Sequence, residues 1–330
     1  MTDIKQIETA KTDATERHIM VSVCCLVYNH EPFLRECFDG FVMQKTTFPI
    51  EILVHDDAST DHSADIIREY TAKYPDLFKP IYQTENQYSK GVKITFRYQI
   101  PRARGKYIAM CEGDDYWTDP LKLQKQVEFM EKHSDVSYMF TKNKRQTVDG
   151  IMKDFDAKFP QNIPDVFDLH YLIKNKMPVP PTQTICFRKD CYPEKMPKFD
   201  FRVIYGDVLT LYMVAHHHKI GFINDYTAVY RESVGVIARN NRKYLIKLGL
   251  KLNQVLNKLT NYEYDYFLGD KSFYWLQLYQ IYRPYRKYYP IAYFYYVAWQ
   301  ISKNGFNAKN IMAILRNTFK KFGKIKNLCH

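Results

Sequence analysis

The sequence predicts an α/β domain on a mostly parallel central sheet, followed by an α-helical C-terminal region. Three observations carry this expectation. Apolar β-rich runs alternate with segments of helical period through the first half of the chain. Acidic pairs sit at the ends of two of those runs, where open α/β sheets gather their ligands. Charge and composition then change abruptly near residue 240.

The elements follow in order. Residues 1–18 are polar and without apolar period, and read as a loose tail. The run Ile19 to Val27 is continuously apolar and β-rich, as a strand covered on both faces would be. Behind Pro32, the residues Phe33, Leu34, Cys37, Phe38, Phe41 and Val42 recur at helical spacing. The unit repeats as a strand over 50–55 and a helix over 61–74, whose apolar side holds Ile66, Ile67 and Tyr70. A short strand over 80–83, a helix near 94–104 and a strand over 106–111 come next. Asp119-Pro120 reads as the N-cap and first residue of a helix over Leu121, Leu123, Val127 and Met130, and a fifth strand spans 136–141. Strands separated by helices of this length imply right-handed crossovers and parallel neighbours.

The 330 residues exceed one typical domain, and an apolar fraction of 46% is enough for a large core. No secretory leader is visible, because the first apolar run alternates in strand fashion; the expected location is the cytosol. Seven cysteines without C-x-x-C spacing argue against a disulfide framework and against a zinc site. Residues 241–330 hold sixteen Lys/Arg against three Asp/Glu, and so carry all of the net charge of +12. The domains expected are therefore the tail 1–18, an α/β unit 19–240, and a basic, Tyr-rich helical region 241–330.

Asp56-Asp57 ends the second strand and Glu112-Gly113-Asp114-Asp115 ends the fourth. Two acidic pairs converging at one sheet edge repel unless they share a cation, and a divalent metal with oxygen ligands is the simplest partner. Neither G-x-x-x-x-G-K-[ST] nor G-x-G-x-x-G occurs, so P-loop and dinucleotide readings lose their support. A nucleotide bound here would need a metal to hold its phosphates.

Four segments in this order resemble the nucleotide-sugar glycosyltransferases of family 2, with the GT-A fold, over roughly residues 19–235: 21–31, 51–61, 105–117, and Tyr205-Gly206-Asp207 with Tyr230-Arg231. The resemblance implies an inverting transfer of a sugar from a nucleotide diphosphate to a hydroxyl of a glycan or lipid-linked acceptor, of the bacterial surface-polysaccharide type. It places Asp57 under a uracil ring, whose N3–H a carboxylate accepts, and so favours a UDP-sugar. Val27, Tyr28, Asn29 and Glu31 would close the base and ribose pocket. Glu31 reads equally as a first-turn carboxylate favoured by the helix dipole. The Glu112–Asp115 segment matches the D-x-D-type motif: Asp114 mainly for ribose and also for metal, Asp115 mainly for Mg²⁺ or Mn²⁺ bridging the diphosphate. Asp207 matches the general base that takes the acceptor hydroxyl's proton; a helix cap is its other reading. Arg231 matches a phosphate contact, and Lys90 and Arg97 lie where donor-contacting basic residues often occur. Departures include Ala58 for a frequent Gly, and Ser233 where many relatives carry a metal-reaching His.

His216-His217-His218 is discounted as a metal box, because consecutive helical residues point about 100° apart. The basic region 241–330 forms amphipathic helices, none approaching the ~20 apolar residues of a membrane span. Lys/Arg beside Tyr, Trp and Phe suit peripheral contact with anionic lipid at the inner face of the cytoplasmic membrane, or packing on the catalytic domain. No nucleic-acid partner is expected, since no such module is visible. Two other readings remain. A sugar-1-phosphate nucleotidylyltransferase would carry a glycine-rich loop after the first strand, where this chain has Tyr28 to Glu31. A non-catalytic membrane-associated binding protein would have lost Asp115 or Asp207, and both are present.

Overall fold

The computed structural model describes residues 18–154, 159–175, 177–195 and 206–232, together with 255–256, 259–260 and 263. The chain divides into two compact units, Met1–Arg239 and Asn240–His330. The expected helices of 241–330 and the tail 1–17 lie outside the described residues. The first unit runs through β1 (Val21–Val27), α1 (Glu31–Val42), β2 (Ile50–Asp56), α2 (Ser63–Lys73) and β3 (Phe78–Tyr82). A π-helical turn Thr95–Gln99 continues into Ile100–Arg102, followed by β4 (Tyr107–Met110), β5 (Tyr116–Trp117), α3 (Lys122–Lys132) and β6 (Val136–Gln146). Then come β7 (Met152–Lys153), β8 (Val166–Asp168), α4 (Leu169–Lys174), a 3-10 turn Thr182–Thr184, β9 (Cys186–Arg188), α5 (Gly206–Ala215) and β10 (Lys219–Arg231).

One sheet holds the strands in the spatial order β3-β2-β1-β4-β9-β6-β10-β5, with β7 on β6 and β8 on β10. The block β3-β2-β1-β4 is parallel throughout, and Val21 lies opposite both Ile50 and Tyr107. This follows from composition: Val21, Val23, Cys25, Ile52 and Val54 are fully buried, and each large aliphatic side chain so buried contributes roughly 1.5–3 kcal/mol. Phe38 of α1 packs edge-on against Tyr70 and Phe78, and Phe41 against Trp117. These rings fix α1 and α2 against the sheet and leave the carboxyl ends of the strands open.

Three departures from the sequence expectation have local causes. β9 enters antiparallel between β4 and β6, pairing Phe187 with both Ile108 and Tyr138; three residues show no period, so only tertiary pairing reveals the strand. The Asp119 carboxylate accepts the Leu121 N–H at 2.8 Å, and the helix proper begins at Lys122, later than the Asp119-Pro120 signal implies. The helix near 94–104 is a π-turn, tied beneath the sheet by Gln99 Nε2 donating to the carbonyls of Cys25 (3.2 Å) and Leu53 (2.8 Å). His216 to His218 form the turn between α5 and β10. Among the described residues, no helix is long and apolar enough to cross a membrane.

Candidate active site

The ends of β1 and β2 are joined by a reciprocal set of hydrogen bonds. Asn29 takes φ +56° and Ala58 φ +61°, which turns both loops sharply at the strand ends. The Asn29 side-chain Oδ1 accepts the Thr60 N–H at 2.7 Å, while the Asn29 backbone N–H donates to Ser59 Oγ at 3.0 Å. The Glu31 N–H donates to Asp61 at 3.1 Å, and the Glu31 carboxylate accepts the His62 N–H at 3.1 Å. Asn29 and Glu31 thus build the loops, and Tyr28, 41% exposed, stands free at their rim. Val27 is buried beneath it.

Asp57 is buried, and its two oxygens accept the N–H groups of Gln87 (2.7 Å) and Tyr88 (3.0 Å). His55 Nε2 lies 3.8 Å from the same carboxylate; burial lowers this imidazole to about 4, so it stays neutral at pH 7. Asp57 anchors the segment that carries Tyr88 into the cavity, and is not itself among the lining residues.

After β4 the chain makes the turn Glu112–Asp115. Gly113 is required there, because a Cβ would meet His30 Nδ1 at 2.8 Å, Leu34 Cδ1 at 2.9 Å and Val27 Cγ2 at 3.2 Å. The close approach drives Asp114 and Asp115 inward, to 6% and 4% exposure. Asp115 Oδ1 accepts the Arg231 N–H at 2.9 Å, whereas Asp114 Oδ1 has no hydrogen-bond partner. Burial first and the neighbouring Asp114 second push the Asp115 carboxyl well above the usual carboxylate range. Glu112 opens onto the cleft and is also raised, by desolvation and then by Asp114 and Asp207.

Arg231, at the end of β10, holds this turn. Its Nη1 donates to the Asp114 carbonyl at 2.7 Å and its Nη2 to the Glu36 carboxylate, with the guanidinium 4.5 Å from the Tyr116 ring centre and 5.0 Å from that of Phe33. Its fork is occupied by protein, so a phosphate contact would require it to release Glu36.

A cavity of about 460 Å³ brings the acidic groups together: Glu112, Asp114, Asp115 and Asp207 all line it. Asp207 stands in the first turn of α5 and accepts the Val208 N–H at 2.8 Å. Burial raises its carboxyl, with Lys93 pulling the other way. Lys90 lies outside the cavity, exposed and paired with Glu85, and Arg97 is exposed as well; Lys93 is the lysine that lines the cavity. Sequence reading missed Lys93 and Gln183, since neither the irregular stretch after β3 nor the turn before β9 shows a period. Among the described residues, no three His, Cys, Asp or Glu side chains are grouped to hold a metal by themselves. Tyr205, Ser233 and residues 234–254 lie outside the described residues.

With this geometry in place, the comparisons are specific. The family model described as Glycosyl transferase family 2 matches residues 22–192. An uncharacterized protein of Mycobacterium tuberculosis is 45% identical over 140 residues, which is 42% of this chain and 39% of that protein. Staphylococcus aureus TarS 1–349, solved in complex with UDP-GlcNAc, superposes with a TM-score of 0.58 at 17% identity, covering 86% of this chain and 81% of that one. The mannosyltransferase PcManGT from Pyrobaculum calidifontis, solved with GDP-Man and Mn²⁺, gives 0.50 at 15% identity, covering 97% and 87%. At these identities the structures speak for the fold.

Proposed function

Because the chain belongs to glycosyl transferase family 2, with the GT-A fold, we propose that it is an inverting, metal-assisted glycosyltransferase that uses a UDP-sugar and Asp207 as general base. The observation that carries the reading is the single cavity lined by Asp114, Asp115 and Asp207. The residues present fit a divalent cation: Asp114 Oδ1 is buried without a partner, and Asp115 bears a carboxyl that burial makes reluctant to ionise alone. Mg²⁺ is usually held by one or two carboxylates plus substrate phosphates, so the two carboxylates of Asp114 and Asp115 are enough for such a site. When bound, the ion would offset the negative charge that develops on the departing nucleotide diphosphate.

The chain's own residues supply the rest. Exposed Tyr28 offers a face for the base, and the Asp57 carboxylate, with two of about four lone-pair directions in use, can still accept a ring N3–H, which favours uridine. Asp114 and Asp115 hold ribose and diphosphate at one part of the cavity. Asp207 accepts the proton of the acceptor hydroxyl as that oxygen attacks the anomeric carbon. Lys93 in the same cavity favours the ionised form of Asp207. A glycan or lipid-linked acceptor of a surface polysaccharide is the acceptor class, and contact with anionic membrane through 241–330 belongs to the same proposal.

The test is a panel of nucleotide sugars with Mg²⁺ and Mn²⁺, following nucleotide release and thermal shift for the wild type and Asp207→Asn. Asn keeps an oxygen for the Val208 N–H but cannot take a proton. Donor binding should survive while transfer falls by about 10²–10⁴-fold. Undiminished transfer would remove Asp207 from the role of base.

A further inference from the structure

We propose that Gln183 reads a hydroxyl of the transferred sugar, an assignment that rests on the glycosyltransferase reading above. Gln183 is fully buried, lines the cavity that holds Asp115 and Asp207, and leaves both Nε2 and Oε1 without a hydrogen-bond partner. Buried side-chain amides with neither group satisfied are rare in folded proteins, because the desolvation they suffer is uncompensated.

The backbone around it is fixed. The Gln183 carbonyl accepts Trp117 Nε1–H at 2.9 Å, the next carbonyl, that of Thr184, accepts Gln126 Nε2–H at 2.9 Å, and Thr184 Oγ1 donates to the Pro181 carbonyl at 2.7 Å. The turn is thus pinned from the sheet and from α3, and the amide is the polar group it leaves unused. Among the other lining groups, Val179, Pro181 and Leu209 are apolar, and the Thr210 hydroxyl is already donating to the Gly206 carbonyl at 2.8 Å.

An amide presents one acceptor and two donors side by side. Its match is a group that both donates and accepts, and a sugar hydroxyl does both. A phosphate only accepts, so it would leave the Oε1 acceptor unmatched. The occupant is the donor's sugar because the anomeric carbon must lie between the carboxylates that hold the diphosphate and the Asp207 that faces the incoming hydroxyl, and Gln183 lines that same space. A site built to bond a hydroxyl rejects analogues that lack it, since the amide is then left unpaired.

The experiment uses the full chain without acceptor. UDP, UDP-glucose, UDP-galactose and UDP-GlcNAc, with the 3-, 4- and 6-deoxy analogues of the preferred donor, are titrated against the wild type and Gln183→Leu with Mn²⁺. In the wild type, one deoxy analogue should bind at least about tenfold more weakly than its parent. In Gln183→Leu that penalty should fall below about threefold, with UDP affinity unchanged within about twofold. Equal deoxy penalties in both proteins, or a parallel loss for UDP itself, would overturn the assignment. Should the wild type bind none of the UDP-sugars, the UDP-sugar donor reading fails and this assignment with it. A melting temperature in Gln183→Leu no lower than that of the wild type separates loss of recognition from loss of fold.

Discussion

Asp115→Asn should make the protein more stable and unable to hold its donor. Asp115 is 4% exposed beside Asp114 at 6%, and the Arg231 guanidinium that reaches the turn binds the Asp114 carbonyl and Glu36, neither of the two carboxylates. The Arg231 charge therefore offsets the Asp115 carboxylate only weakly, behind the effects of burial and of Asp114. Asn is isosteric, its Oδ1 can still accept the Arg231 N–H, and the charge is gone. Relieving one buried charge of this kind returns on the order of 1–3 kcal/mol. For a unit of about 200 residues, each kcal/mol is worth about 2–4 °C, so Tm should rise by several degrees.

The gain has a pH signature. A carboxyl raised in the folded state binds its proton more tightly there than in the unfolded chain, so stability falls as pH rises through the range from the unfolded value to the folded one. The advantage of Asp115→Asn should accordingly be small at pH 4 and grow toward pH 8. Thermal melts by circular dichroism across that range, repeated with UDP and Mn²⁺, give both readouts. At about 100-fold over Kd the ligand should stabilise the wild type by about 2.7 kcal/mol and leave Asp115→Asn unmoved. A variant less stable than the wild type at pH 8, or one that keeps the ligand shift, would refute the reasoning.

Two further substitutions probe the surroundings. Lys93→Met removes the charge that opposes the upward shift of Asp207, so the acid limb of the pH profile of kcat/KM should move to higher pH; a limb that stays fixed or moves to lower pH would rule out the coupling. Arg231→Lys keeps the charge but loses the fork that spans the Asp114 carbonyl and Glu36, and with it the stacking on Tyr116. It should lower stability by about 1.5–3 kcal/mol, read from denaturant melts, and raise KM for the donor more than it lowers kcat.

The parallel block was legible because β1, β2 and β4 are β-rich runs interrupted only by Ser22, Glu51 and His55, and the intervening segments put Leu34, Phe38, Ile66 and Ile67 at helical spacing. The acidic ends of β2 and β4 were equally visible, since a strand run that stops at Asp-Asp or Glu-Gly-Asp-Asp marks its own terminus. The division of labour among those acids was not. The resemblance singled out Asp57, but no sequence signal showed that Asp56 accepts Ser59 Oγ at 2.5 Å while Asp57 holds Gln87 and Tyr88. The same limit applies to cations: Lys90 and Lys93 look interchangeable, and only the path of the chain after β3 puts one on Glu85 and the other in the cavity.

The sequence by itself determined the strand–helix alternation through residue 141, the positions of the carboxylates along it and the family to which they belong, because periodicity and short motifs are properties of neighbouring residues. Only the tertiary structure decided that Asp207 shares a cavity with Asp114 and Asp115, that Arg231 is spent on the turn, and that the Gln183 amide is buried without a partner. Those facts depend on distances between segments about 70 to 115 residues apart, which burial and the strand pairing through β9 set, and no local pattern encodes them.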